Sequence, residues 1–317
     1  MFEREVIMEN GIYFNMPEDE YHKQEGLSST GIKELLQSPV NFWFNSVYNP
    51  LYEQKKTNFL DDGKMFHCLY LEGEQAFNNR YVVIPDYCEV LGKSSKAYKN
   101  WLEFEAKGRY PIPFDKYNKL ITHAGYVNQW LAPHLFEGGY PEVSIFWEED
   151  GIPCKCRIDY IRQGGFIDLK TFEKNNFKSI DEYVQDYIFK YAVYIQLRFY
   201  EKAIRFAVEN KLPVFGNDAQ KQFISEIDAV NPGIFFIDRK IPNTRLRMFG
   251  DCQELWQIAD KRIQAAKDLF IKYRDMYGMK SAWLENSPPV TYNDLDFHQL
   301  YIEKCKEGDF EIEEDLY

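Results

Sequence analysis

Between residues 141 and 172 the chain alternates apolar and polar positions in three short runs, EVSIFWEE, IPCKCRIDYI and GFIDLKT. Period-two alternation places successive side chains on opposite faces of a strand. Asp150-Gly151 breaks the first run and RQGG the second, so the region predicts three antiparallel strands joined by two hairpins. Residues 26 to about 140 are mainly helical in spacing. LSSTGIKELLQSPVNFWF offers Ser28, Ser29 or Thr30 as an N-cap, with Glu34 just inside the helix and Pro39 near its end. SSKAYKNWLEFEAKG and FDKYNKLITHAGYVNQWLAPHLF carry further helical patterns.

Downstream, a long helix is expected from Ser179, where Glu182 completes an S-x-x-E capping box. QFISEIDAV and IFFIDRKI are expected to form a strand pair around the turn residues NPG. DCQELWQIADKRIQAAKDLFIKYRDMYG predicts a last long helix ending near Gly278. No internal repeat is present. The α/β (α+β) pattern predicts one domain over 1–317. It has a mainly helical part at 20–140, a sheet and helix at 141–240, a C-terminal helix at 250–280 and an acidic tail at 303–317. The tail holds seven acidic residues against two lysines, which favours a solvated segment.

The turns define a strand register. A two-residue Asp150-Gly151 turn of type I′ pairs Glu149 with Ile152 and puts Glu142 opposite Asp159. A turn centred on Gln163-Gly164 pairs Arg162 with Gly165 and puts Asp159 opposite Asp168. Glu142, Asp159 and Asp168 then form a row across three strands, with Lys170 on the same face. The other face, with Val143, Ile145, Trp147, Cys154, Cys156, Ile158, Tyr160, Ile167 and Leu169, is the expected core. Directly opposed Cβ atoms lie about 4.5–5.5 Å apart and like charges there repel. The row is open to two readings: one solvated polar face, or a site where adjacent carboxylates share a cation. Mg²⁺ prefers such oxygen ligands, can activate a water and can offset charge on a phosphoryl group. A nearby lysine can orient the water or steady the developing charge.

The rest of the composition narrows the class. With 45% hydrophobic and 28% charged residues the chain is an ordinary globular protein, and no apolar run or basic-then-apolar start suggests a membrane span or signal peptide. A net charge of −12 argues against a general nucleic-acid coat protein but leaves room for a local basic channel. Residues 155–205 carry ten Lys and Arg against seven Asp and Glu, an excess compatible with a phosphate track. The six cysteines show no CxxC spacing. Cys154 and Cys156 read as small core residues or as metal ligands, and a reducing cytoplasm fits this usage. His67, in DDGKMFHCLYLEG, is either a structural helix residue or a metal ligand. In YAVYIQLRFYEKAIRF, Gln196 and Tyr200 share a helix face.

Taken in order, GKMFHCLYLE, EVSIFWEEDGIPCKCRIDYI, GGFIDLKT and QLRFY resemble the PD-(D/E)XK nucleases of the RecB-like branch. The resemblance is nearest to the RecE (exonuclease VIII) type of phage and prophage exonuclease. YHKQEGLSSTGIKELLQSPVNFW and SKAYKNWLEFEAKGR are similar to the same group, and the likeness spans roughly residues 20 to 240. It implies a restriction-endonuclease-like core, a central mixed sheet flanked by helices, with hairpins carrying the active site. By that resemblance His67, Asp159, Asp168 and the main-chain carbonyl of Leu169 would be metal ligands, and Glu142 would help hold a metal or its water. Lys170 would be the motif lysine, and Gln196 and Tyr200 the Q-x-x-x-Y element. Ile158 stands where the motif proline would be. Only Cys252 and Cys305 follow the catalytic region, so no iron–sulfur cluster is expected.

The resemblance further implies a Mg²⁺-dependent exodeoxyribonuclease, with Mn²⁺ able to substitute, that degrades linear double-stranded DNA 5′→3′ and leaves 3′ single strands. It would act in the bacterial cytoplasm as a ring-shaped homo-oligomer beside a RecT-like single-strand annealing protein, with no membrane partner. The rival readings are a structure-specific or single-strand nuclease similar to the CRISPR-associated or helicase-fused members, and a DNA-binding module of the same fold that does not cleave.

Overall fold

Asp150 and Gly151 take φ values of 57° and 70°, the left-handed pair that a type I′ turn requires. This is a computed structural model, and it describes residues 8–53, 62–132, 134–173 and 179–285. Among them the strands are β1 (Gly11–Tyr13), β2 (Tyr81–Val83), β3 (Tyr110–Ile112), β4 (Gly139–Glu149), β5 (Ile152–Arg162), β6 (Gly165–Phe172), β7 (Val214–Phe215), β8 (Asn231–Asp238) and β9 (Thr244–Met248). Seven of them form one mixed sheet in the order β7-β1-β4-β5-β6-β8-β9, and β2 and β3 pair separately. The expected α/β architecture of a large mixed sheet flanked by helices is the one observed. Met1–Trp283 forms one compact unit and Leu284–Tyr317 a second; the acidic tail at 303–317 lies outside the described residues.

Both predicted hairpin registers are present. β4 pairs with β5 from Glu149↔Ile152 back to Gly139↔Arg162, and β5 pairs with β6 at Arg162↔Gly165, Ile161↔Phe166 and Tyr160↔Ile167. There the second ladder stops, and β6 continues along β8 in parallel from Gly165↔Asn231 to Phe172↔Asp238. β5 and β6 therefore splay apart. The edge that β5 exposes beyond this point is taken by Leu27, whose amide donates to Pro153 O (2.7 Å) and whose carbonyl accepts from the Lys155 amide (3.0 Å). The Ser29–Gln37 helix starts two residues later, with the Ser28 side chain accepting from the Gly31 amide.

The expected single core face is corrected. Val143, Ile145, Trp147, Cys154, Cys156 and Ile158 join the main core, with the helix Val193–Glu209 packed over them. Tyr160, Ile167 and Leu169 belong to a second core, with Phe66, Cys68, Leu120 and Phe235. Helices cover both sides of the sheet, so alternate residues of its central strands are buried on either face. Cys154 and Cys156 sit in the main core, as the small-residue reading expected.

Two element assignments also change. QFISEIDAV is no strand: Asp218–Ser225 is a helix with a full Asn217/Gln220 capping box. Asn217 and Gln220 exchange hydrogen bonds with each other's amides (2.9 and 2.8 Å), and Gln220, Phe223 and Ile224 are its buried positions, a helical spacing. The helix from Ser179 has its capping box, but it ends at Lys190, and a new helix starts at Val193. Ala192 between them is left-handed (φ 47°, ψ 45°). Pro39 opens a helix of its own, Pro39–Phe44, behind the Ser38 cap. The last helix is Gln253–Tyr277 with Gly278 at its end, as expected. No helix among the described residues is long and apolar enough to cross a membrane.

Gly165 tests the β6–β8 junction. Its φ is 157°, and a Cβ there would lie 2.1 Å from the Asn231 carbonyl oxygen. Gly165→Ala is expected to destabilise the protein by about 3 kcal/mol or more, read as a lowered urea midpoint. Gly164→Ala, with open space around it, should cost no more than about 1–2 kcal/mol through its left-handed backbone alone.

Candidate active site

Glu142 and Asp159 lie where β4 and β5 turn over. Pro141 and Val143 keep their partners Tyr160 and Ile158, but Glu142 itself is left out of the ladder, with φ at 54°. Ile158 and Ile161, three residues apart, both reach the main core, so Asp159 stands at the crossover. A non-glycine residue in the left-handed region costs roughly 1–2 kcal/mol, and such strain gathers at functional sites.

The crossover brings both acids to the helix Asp62–His67, which a π-helical turn, Cys68–Glu72, continues. One donor atom each from His67, Glu142 and Asp159 lies within 4.8 Å of the others. His67 Nδ1 is 3.9 Å from Asp159 Oδ2. That same oxygen accepts the Leu169 amide at 2.8 Å, a backbone group that the ended β5–β6 ladder leaves without a strand partner.

Asp168 does not complete a ladder pair with Asp159, because pairing stops at Tyr160↔Ile167. It is buried and faces the helix Val193–Glu209. Its Oδ1 accepts from Lys170 Nζ (2.9 Å) and from Gln196 Nε2 (2.8 Å). Gln196 is held in turn by Tyr200 Oη at 3.2 Å. Lys170 Nζ is 2.7 Å from Oδ2 as an ion pair, yet outside hydrogen-bond geometry, so Oδ2 is buried without a hydrogen bond of its own. Lys170 thus lies with Asp168 on one face, as the alternation predicted, and the Q-x-x-x-Y pair meets it from the helix.

The electrostatics follow from burying several acids together. Burial first, and then Asp168, raise Asp159 to about 7, against the pull of Lys170 and the Leu169 amide. Burial and Asp159 raise Glu142 in the same sense, against Arg157. Burial and Lys170 lower the His67 ring, against Glu142, Asp168 and a hydrogen bond with the Leu169 backbone, so the imidazole is neutral, the form that binds metal. Burial alone would lower Lys170, but Asp168 and Asp159 outweigh it and hold the ammonium above its ordinary value.

Two further residues belong to this site, and the sequence reading passed over both. Arg157 Nε donates to Glu142 Oε2 at 2.5 Å and its Nη1 to Met16 O and Ser144 Oγ (2.8 and 3.2 Å). Its place was legible, since the β4–β5 register sets it opposite Ser144, two residues from each acid. Lys33, on the Ser29–Gln37 helix, lies close enough to Lys170 that, after burial, the second positive charge lowers its pKa. No local pattern in TGIKEL indicates that contact.

A divalent cation fits these residues. The oxygen-rich set of Glu142 and Asp159 with a neutral imidazole suits a hard ion such as Mg²⁺ or Mn²⁺. Asp168 lies outside this trio of donors, with its Oδ2 2.7 Å from Lys170 Nζ, and the mutual repulsion that, after burial, raises Asp159 is what a cation would relieve.

A family model described as a PDDEXK-like domain of unknown function (DUF3799) matches residues 28–263. Among solved structures, the crystal structure of a candidate exonuclease from Eubacterium rectale is similar over 89% of this chain and 96% of that one, with a TM-score of 0.51 at 13% identity. The crystal structure of SSO0001 covers 61% of this chain and 76% of its own at 12% identity, with a TM-score of 0.23 that carries no argument. No curated protein matches the chain significantly.

The raised Asp159 pKa sets a pH dependence for cation binding. In the metal-free protein its contribution to stability is fully present below the unfolded carboxyl value of 3.8 and is lost as the pH rises through about 7. Below that point a cation must displace a proton. Saturating Mg²⁺ or Mn²⁺ should therefore raise the melting temperature more at about pH 8 than at about pH 6, and Asp159→Asn should abolish the difference.

Proposed function

The chain belongs to this PDDEXK-like family, and we infer that it is a divalent-metal-dependent exodeoxyribonuclease acting on linear double-stranded DNA. The observation that carries this reading is the meeting of His67, Glu142 and Asp159 donors within 4.8 Å, beside an Asp168 carboxylate already paired with Lys170. The metal would be held by His67, Asp159, Asp168 and the Leu169 carbonyl, with Glu142 reached directly or through water. When bound, Mg²⁺, or Mn²⁺ in its place, supplies an activated water and neutralises charge on the scissile phosphoryl group.

The protein's own side chains divide the remaining work. Lys170 is a cation at neutral pH, so it donates hydrogen bonds rather than accepting a proton; it orients the attacking water and steadies the charge that builds on the phosphate. Gln196 holds Asp168 Oδ1, and Tyr200 holds Gln196, so the carboxylate keeps one rotamer. Arg157 holds Glu142 in the same way. Gln196, Tyr200 and Arg157 are positioning residues, acting through the acids they bind.

The finer reading rests on the sequence resemblance to the RecE type. It gives degradation from 5′ ends with 3′ single-stranded tails left behind, in phage-type recombination alongside a RecT-like annealing protein, in the bacterial cytoplasm. A ring of subunits would thread the DNA end, and the acidic charge of −12 would keep its outer surface off bulk DNA. No iron–sulfur cluster enters this scheme.

Linear duplex labelled at the 5′ or the 3′ terminus tests the reading. Mg²⁺-dependent release of the 5′ label with the 3′ label retained on long strands is the expected result. Internal nicking or first loss of the 3′ label would replace it with a structure-specific or single-strand nuclease. Binding without cleavage would point to a DNA-binding module. Asp168→Asn and Lys170→Met should each lower cleavage by at least about a hundredfold while the far-UV spectrum is unchanged. Gln196→Leu should cost about 10- to 100-fold and raise the Mg²⁺ concentration at half-maximal rate.

A further inference from the structure

Tyr183, Tyr187 and Tyr191 recur every four residues along the helix Ile180–Lys190 and its cap, so they share one face. Their rings follow one another, with centroids 6.3 Å apart for the first pair and 4.5 Å for the second. At one end Tyr183 stacks on Phe172, the last residue of β6, at 4.8 Å. At the other end Tyr191 is 48% exposed. The face lines a cavity of about 580 Å³ together with Gln185, Asp186, Phe189 and Lys190.

Cations accompany the rings. Lys190 Nζ lies 5.5 Å from the Tyr191 ring centroid, and Lys33 Nζ donates to the Tyr191 carbonyl at 3.4 Å. Tyr187 is within the electrostatic reach of both Lys170 and Asp168, so the row runs up to the reaction centre. Core packing accounts for Tyr183 and Tyr187, which rest partly against the main core. It does not account for a row that ends in an exposed ring beside two lysines.

We propose that the Tyr183–Tyr187–Tyr191 face is a stacking track for the bases of an unpaired DNA strand, which it leads to the reaction centre while Lys33 and Lys190 take the phosphates. This rests on the nuclease reading above and names the form of substrate the site takes. Rings interleaved with cations are how single strands are held without sequence preference, because every base offers a π-face. A duplex hides those faces in its own stack, so the track serves a strand that has left its partner at a frayed or resected end.

The test uses the full chain with Ca²⁺ in place of Mg²⁺, a single-stranded oligonucleotide carrying 2-aminopurine, and a blunt duplex. Wild type should quench the 2-aminopurine on binding. Tyr191→Ala should weaken the single strand by about ten- to hundredfold and abolish the quench, Tyr191→Phe should preserve both, and duplex affinity should be unchanged in all three. Because the Tyr191 ring is exposed, loss of fold is not expected; Tyr191→Phe also controls for it. Undiminished binding and quenching by Tyr191→Ala would overturn the track, as would equal weakening of single strand and duplex. Wild type that neither binds nor cleaves any DNA would instead overturn the nuclease reading, and this inference with it.

Discussion

Three carboxylates crowded onto one sheet, Asp168 buried and Glu142 and Asp159 half-buried, are the constraint around which this protein is arranged. Uncompensated, buried charges cost several kcal/mol each, and removing one partner of a buried pair costs about 3–5 kcal/mol. Here each acid has its own compensation. Glu142 takes Arg157, Asp168 takes Lys170 and Gln196, and Asp159, among the described residues, takes the Leu169 amide with the His67 ring 3.9 Å away. Asp159 is thus the least compensated of the three and is shifted far upward. The same imbalance that makes it costly is what a bound cation would relieve.

That arrangement needs a sheet that comes apart locally. If β5 and β6 stayed paired beyond Tyr160↔Ile167, the Leu169 amide would be spent on the ladder and Asp159 would face Asp168 directly. The splay frees the amide and opens an edge of β5 that Leu27 covers. It also admits the Ser29–Gln37 helix, whose Lys33 comes close to Lys170. On the far side β8 runs parallel to β6 over its whole length, so the strand that carries Asp168 and Lys170 is held firmly although its other neighbour has left. Gly165 makes the close approach to Asn231 possible at the start of that pairing.

The helical break at Tyr191–Ala192 divides two tasks. The helix before it brings Tyr187 within electrostatic reach of Lys170, and the helix after it presents Gln196 and Tyr200 to Asp168. A continuous helix would carry a single straight face past the strand, whereas the left-handed Ala192 lets two faces converge on the same pair of residues.

Much of this was legible in local chemistry. The hairpins follow from residues that accept positive φ at Asp150, Gly151 and Gly164. With those turns set, counting along the strands gives the register, and the register puts Glu142, Asp159, Asp168 and Lys170 within a few residues of one another. Capping at Ser28 and Ser179 was equally local, because a cap involves only three or four consecutive residues. QFISEIDAV was misread because its short apolar run fits either period, and the Asn217/Gln220 box that decides for helix lies wholly upstream of it. What tertiary structure alone decided is where the regular pattern stops. The left-handed turn-over at Glu142, the end of the β5–β6 ladder and the approach of His67 and Lys33 all depend on groups distant in sequence. Alternation assigns faces only while a strand stays regular, and this site is built where β4 and β5 cease to be.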